Sequence, residues 1–214
     1  MFMICSLLYA VNRGRVLPMY QDSFDFIEKQ PRRPQRPERL FIGCFPEERV
    51  WSAIRHLREQ TTSKFDLTGN LLADDRFHTS LVHISDRKWL RSKDQFAAER
   101  AAATVTIAPF EISYRSIGSF PGTPKKGSPL DHPLVLLADE GPVMKLQAAL
   151  ASGLRQFKYR VPESFRPHLT LSYNRQFVPA RAIEPIAFLV TEFVLVHSKL
   201  WLKEYRILRR WPLH

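Results

Sequence analysis

The sequence predicts an α+β fold built on antiparallel sheet. Three observations carry that prediction: many short runs of strand composition, only a few stretches with helical spacing, and a strand, helix, loop, strand order that occurs twice. With 214 residues, 44% of them hydrophobic, the chain can bury a sizeable core in one large domain or two intimately joined lobes.

The elements follow in order. "MFMICSLLYAVNRGR" opens with an apolar run well short of the ~20 residues of a membrane-spanning helix, with no basic residue ahead of it and no clear small-residue cleavage site after it; it reads as an accessory segment or a start-site artefact with Met19 as the alternative start, in preference to an export signal. "QPRRPQRPE", residues 30–38, holds three prolines and three arginines and reads as an extended linker, so the expected boundaries are an extension over 1–38 and a folded domain over 39–214. "RLFIGCF" is then a buried strand. "PEERVWSAIRHLREQ" follows as a helix, with Pro46 in the first turn, Glu47 and Glu48 at the positive end of the dipole, and Val50, Ile54 and Leu57 at helical spacing. A polar loop leads to the strand "RFHTSLVHI", and "SKDQFAAERAAA" reads as a second helix.

"TVTIAPFEISYRSIGSF" has strand composition with a kink or bulge at Pro109, and "FPGTPKKGSPLD" is a loop. "HPLVLLAD" is a strand. "GPVMKLQAALASGLRQF" is a helix with Pro142 near its start and Val143, Leu146, Leu150 and Leu154 on one face, and it delivers the strand "FRPHLTLSY". "PIAFLVTEFVLVHSKL" and "KEYRILRRWPL" are strands, with "HSKLWLKE" reversing the chain between them as a hairpin.

Lysine and arginine outnumber aspartate and glutamate 32 to 21, and nine of the eleven excess charges fall on residues 39–214. A positive body favours a polyanionic partner, either nucleic acid or a membrane surface, and charge alone does not choose between them. The two cysteines, Cys5 and Cys44, form no disulfide or metal framework and suit a reducing cytoplasm. No phosphate-binding loop, paired Gly-rich turn, His-x-x-x-His helix or carboxylate cluster occurs, so ATP hydrolysis, hydride transfer and zinc hydrolysis lack their usual signals.

The candidate chemistry lies in two strands. In an extended chain His168, Thr170, Ser172 and Asn174 share one face, and His78, Ser80, Val82 and Ile84 share one face of the earlier strand. His-x-Ser/Thr therefore recurs at corresponding places in two halves. His83 falls on the opposite face by the same parity and reads as structural, unless a bulge breaks the alternation. Two imidazoles facing one cleft are suited to phosphodiester chemistry without a metal or nucleotide cofactor, since one accepts a proton from the nucleophile while the other protonates the leaving oxygen. Neighbouring hydroxyls can donate to the non-bridging oxygens where charge accumulates.

These residues resemble the two-histidine phosphoesterase superfamily, and within it the LigT-like RNA 2′,3′-cyclic phosphodiesterases, also called 2′-5′ RNA ligases. "FHTSL" and "FRPHLTL" match the two motifs, "RLFIGCFPEE" the opening strand and helix start, "IGSFP" the middle segment and "RRWPL" the final strand. The resemblance implies a bilobal, pseudo-two-fold fold with antiparallel sheets lining a central cleft and helices outside. It implies metal-independent opening of an RNA 2′,3′-cyclic phosphate to a 2′-phosphate, and the reverse joining of RNA ends without ATP. His78 and His168 become the acid–base pair, with His78 as acid and His168 as base in hydrolysis, and Ser80 and Thr170 the phosphate-binding hydroxyls. Family members often carry arginine five positions after the second histidine, where this chain has Tyr173; Arg175 or Arg166 is the expected substitute. Phe120 or Tyr173 can stack on a base, and Lys125 and Lys126 can meet RNA phosphate. The expected partner is an RNA or nucleotide with a cyclic phosphate end, with neither a membrane nor an obligate protein partner. Two alternatives are a phosphodiesterase for another small cyclic phosphate or nucleotide ester, and a non-catalytic RNA-binding module.

Overall fold

The computed structural model describes residues 35–122, 124 and 130–214. The expected extension, most of the linker, and Lys125 and Lys126 lie outside the described residues. The described elements are β1 (Glu38–Cys44), α1 (Glu48–Lys64), β2 (Asn70–Leu71), β3 (Thr79–Arg87), α2 (Ser92–Ala102), β4 (Phe110–Ser119), β5 (His132–Ala138), α3 (Pro142–Gln156), β6 (His168–Asn174), β7 (Arg181–Val190), β8 (Glu192–Lys199) and β9 (Glu204–Pro212). The strands form one antiparallel sheet in the order β7-β4-β5-β6-β3-β1-β8-β9, with β2 added on β6. The sequence leads to sheets in the plural; in the fold, two four-stranded halves are hydrogen-bonded into one sheet through a single pairing between β3 and β6, Thr79 with Leu169.

The continuous apolar run of β1 reflects a strand covered on both faces. Leu40, Ile42 and Cys44 enter the main core, while Phe41 joins Val194 and Val196 in a smaller cluster on the other side. Helix α3 buries Val143, Leu146, Leu150 and Leu154 as its spacing predicts. It lies so close to α2 that a Cβ added at Gly153 would sit 2.8 Å from that of Ala101. α1 packs on β7, with the Arg181 guanidinium donating to Thr61 Oγ1 at 2.8 Å. Among the described residues no helix is long and apolar enough to cross a membrane.

Two boundaries differ from expectation. Glu38, placed at the end of the linker, already pairs with Arg87 and Lys199 in the sheet, and its carboxylate lies 2.5 Å from His197 Nε2 in a buried contact. Strand β4 starts only after Pro109, because proline offers no N–H to a ladder and constrains the residue before it.

The larger correction concerns strand parity. β1 pairs Gly43 with Ser80 but Ile42 with Val82, and Phe41 with His83 but Leu40 with Ser85, so β3 carries extra residues at Leu81 and Ile84. β5 pairs Val135 with Thr170 but Leu134 with Ser172, leaving Leu171 extra in β6. A bulge flips every side chain beyond it. Val82 and Ile84 are accordingly buried rather than beside His78, and His83 is exposed. Ser172 and Asn174 point into the core, with Asn174 donating to Ser172 at 2.8 Å, and Tyr173 emerges instead.

Candidate active site

The Thr79–Leu169 pairing is what brings the two motifs together. Extending that antiparallel register by one residue sets His78 opposite Thr170 and Ser80 opposite His168, all four on one face. The two histidines are then diagonal neighbours, a relation that sets residues about 7–8 Å apart with their Cβ atoms somewhat closer. A cavity of about 390 Å³ is lined by both histidines, Ser80 and Thr170.

Each ring is held in the same way. His78 Nδ1 lies 2.7 Å from the Arg76 carbonyl and His168 Nδ1 lies 2.7 Å from the Arg166 carbonyl. A carbonyl only accepts, so Nδ1 carries the proton and Nε2 is the free lone pair of the neutral ring. At His78 the Ser80 hydroxyl donates to that Nε2 at 3.0 Å. An aromatic ring backs each imidazole: Tyr205 stands edge-on to His78 at 5.4 Å and Phe120 to His168 at 4.8 Å. The same two rings carry the guanidiniums of Arg76, at 4.6 Å, and Arg166, at 5.7 Å. Arginine, histidine and aromatic ring thus form matching sets on both halves. The signal for this was in the sequence as "RFHTS" and "RPHLT", both Arg-x-His-x-Ser/Thr.

The halves are not equivalent electrostatically. Phe41 and Phe45 also pack on His78, at 4.9 and 5.5 Å. That burial, aided by the charge of Arg76, lowers the His78 pKa to about 4; burial also lowers that of His168. An unfolded histidine titrates near 6.5, so between ~6.5 and ~4 the unfolded chain binds more protons, and stability falls as pH falls through that window. We expect the urea midpoint to drop between pH 7 and pH 5, and to drop less in His78→Gln. Equal pH dependence in the two proteins contradicts this assignment.

Several lining residues were not singled out from sequence. Across four neighbouring strands, Asp86, Arg39, Ser198 and Tyr205 stand in register. Arg39, Ser198 and Tyr205 line the cavity, with His83 and Arg76. The Arg39 fork donates to both Asp86 oxygens, at 2.8 and 2.9 Å, and His83 Nε2 meets the same carboxylate at 3.0 Å. Burial pushes the Asp86 carboxyl up, but these hydrogen bonds overcome it and hold the pKa at about 2. The Ser198 hydroxyl is buried and has no hydrogen-bond partner among the described residues.

Of the other expected residues, Tyr173 lines the cavity and Phe120 backs His168, whereas Arg175 lies in a neighbouring cavity and Arg166 is exposed at the Phe120 ring. Cys44 is fully buried, which pushes its thiol pKa up and away from reactivity. Among the described residues no group of three or more His, Cys, Asp or Glu side chains is placed to hold a metal ion.

The model of one family, the 2′-5′ RNA ligase superfamily, matches residues 46–200. Among solved structures, LigT of E. coli in its apo form is similar at 22% identity and a TM-score of 0.62, over 83% of this chain and 98% of that one. TT0787 of Thermus thermophilus is similar at 21% identity and a TM-score of 0.62, over 82% and 97%. E. coli LigT complexed with 3′-AMP is similar at 22% identity and a TM-score of 0.62, over 83% and 98%. No curated protein matches in sequence. At these identities the structural likeness establishes the fold, and the matched motifs lie within the span of the family model.

Proposed function

The chain belongs to the 2′-5′ RNA ligase superfamily of two-histidine phosphoesterases, and we propose that it opens the 2′,3′-cyclic phosphate at an RNA end to a 2′-phosphate. The observation that supports this most directly is the pair of diagonal imidazoles lining one cavity, each with Nδ1 tied to a carbonyl so that Nε2 carries the lone pair, which at His78 accepts from the Ser80 hydroxyl. LigT complexed with 3′-AMP adds the precedent of a related fold holding a ribonucleotide phosphate.

In the reaction one neutral Nε2 takes a proton from water as its oxygen attacks phosphorus. The P–O3′ bond breaks in line, and the other imidazole, protonated, delivers its proton to the departing O3′. Ser80 and Thr170 donate to the non-bridging oxygens, and the guanidinium of Arg39 supplies positive charge to the same cavity. The reading we favour reverses the roles expected from the sequence, with His78, the more enclosed ring, as the base and His168 as the acid. When a 5′-hydroxyl takes the place of water, the same proton transfers join two RNA ends, with the strained ring supplying the energy that ATP supplies elsewhere.

The test is product analysis on an oligoribonucleotide ending in a 2′,3′-cyclic phosphate, with a chelator present. A 2′-phosphate end formed at an undiminished rate is the expected result. No opening of the ring, or a 3′-phosphate product, overturns the reading.

A further inference from the structure

A second cavity, of about 410 Å³, adjoins the first and shares Tyr173 with it as a common wall. Its volume falls within the ~300–1,000 Å³ of small-molecule sites. Its lining is Thr68, Gly69, Asn70, Asp131, Tyr173 and Arg175, a set that combines hydroxyl, amide, carboxylate and guanidinium groups with one phenol ring.

Two features show that this cavity is built into the fold. The bulge after Thr170 turns Tyr173 out of the core, leaving it 43% exposed between the two cavities. The adjoining wall is pinned on β6: Asn70 pairs with Tyr173, and Gly69 N donates to the buried Asn174 side chain at 3.1 Å. Gly69 lies so close that a Cβ there would be 2.0 Å from the Tyr173 carbonyl oxygen, so any side chain would displace the wall.

A flat ring flanked by mixed donors and acceptors is the chemistry that recognises an unstacked nucleobase. We propose that the cavity beyond Tyr173 binds the nucleoside on the 5′ side of the cyclised nucleotide, its base on the Tyr173 ring and its edge toward Asn70, Asp131 and Arg175. The proposal rests on the RNA-end reading above and deepens it: the substrate is an RNA end of at least two nucleotides, and a mononucleoside cyclic phosphate fills only half of the site.

Binding of two products tests this without turnover. A dinucleotide ending in a 2′-phosphate should bind about tenfold or more tighter than the nucleoside 2′-phosphate, as expected for one stacked base. In Tyr173→Ala and in Arg175→Ala the ratio of the two affinities should fall toward one. Equal affinities in the unaltered protein, no binding of either product, or a ratio that survives both substitutions overturns the subsite. Failure to turn over cyclic ends of any length, by contrast, removes the phosphodiesterase reading, while a preference for the dinucleotide product still reports the subsite.

Discussion

His168→Ala and His78→Gln each lower kcat/KM on a cyclic-phosphate RNA end by about 10²–10⁴, the usual worth of a positioned acid or base. His168 is only partly buried, so its truncation leaves the fold intact. His78 packs against Phe41, Phe45 and Tyr205, and glutamine keeps most of that contact where alanine would open a void. The two losses differ in kind. A substrate whose leaving group needs no proton, such as a p-nitrophenyl phosphodiester, restores much of the rate to the variant lacking the acid and none to the variant lacking the base. With His168 as acid, rescue occurs in His168→Ala. Rescue confined to His78→Gln reverses the assignment, and full activity in both variants removes the imidazoles from the chemistry. Because burial lowers both pKa values, kcat/KM should also peak on the acid side of an ordinary histidine, below about pH 6.5.

How much of this was legible in the sequence depends on how local each feature is. The two strand, helix, strand units and the hairpin between β8 and β9 rest on spacing within one segment, and they stand as read. The histidines could be paired because their motif recurs. The bulges at Leu81 and Leu171 could not be seen, since each is a mismatch with a partner strand, Ile42 to Gly43 in one case and Leu134 to Val135 in the other. With them went the fate of every residue beyond: His83 and Tyr173, each five places after a motif histidine, reach the surface only because one leucine takes up no pairing. The row from Asp86 through Arg39 and Ser198 to Tyr205 draws on four strands spread over most of the domain. Its members are unremarkable in sequence until the register is known.

That row yields the second large effect. Arg39→Ala should lower kcat/KM by about 10²–10³, the cost of removing one preorganised donor from a site where negative charge develops. Asp86 fixes two of the guanidinium nitrogens, Nε and Nη2, at 2.8 and 2.9 Å, so this cavity-lining side chain has little freedom left to lose. Lysine cannot reproduce this, since a single ammonium cannot both hold two carboxylate oxygens and reach a phosphate. Arg39→Lys should therefore recover only a small part of the loss. The pair is partly exposed and contributes little to stability, so melting temperature should move far less than activity. Arg115→Ala serves as the control, since it removes the same charge from an exposed contact with Asp139. If Arg39→Ala and Arg115→Ala reduce kcat/KM alike, Arg39 contributes only to the general positive field, and the phosphate is held by the hydroxyls of Ser80 and Thr170 alone.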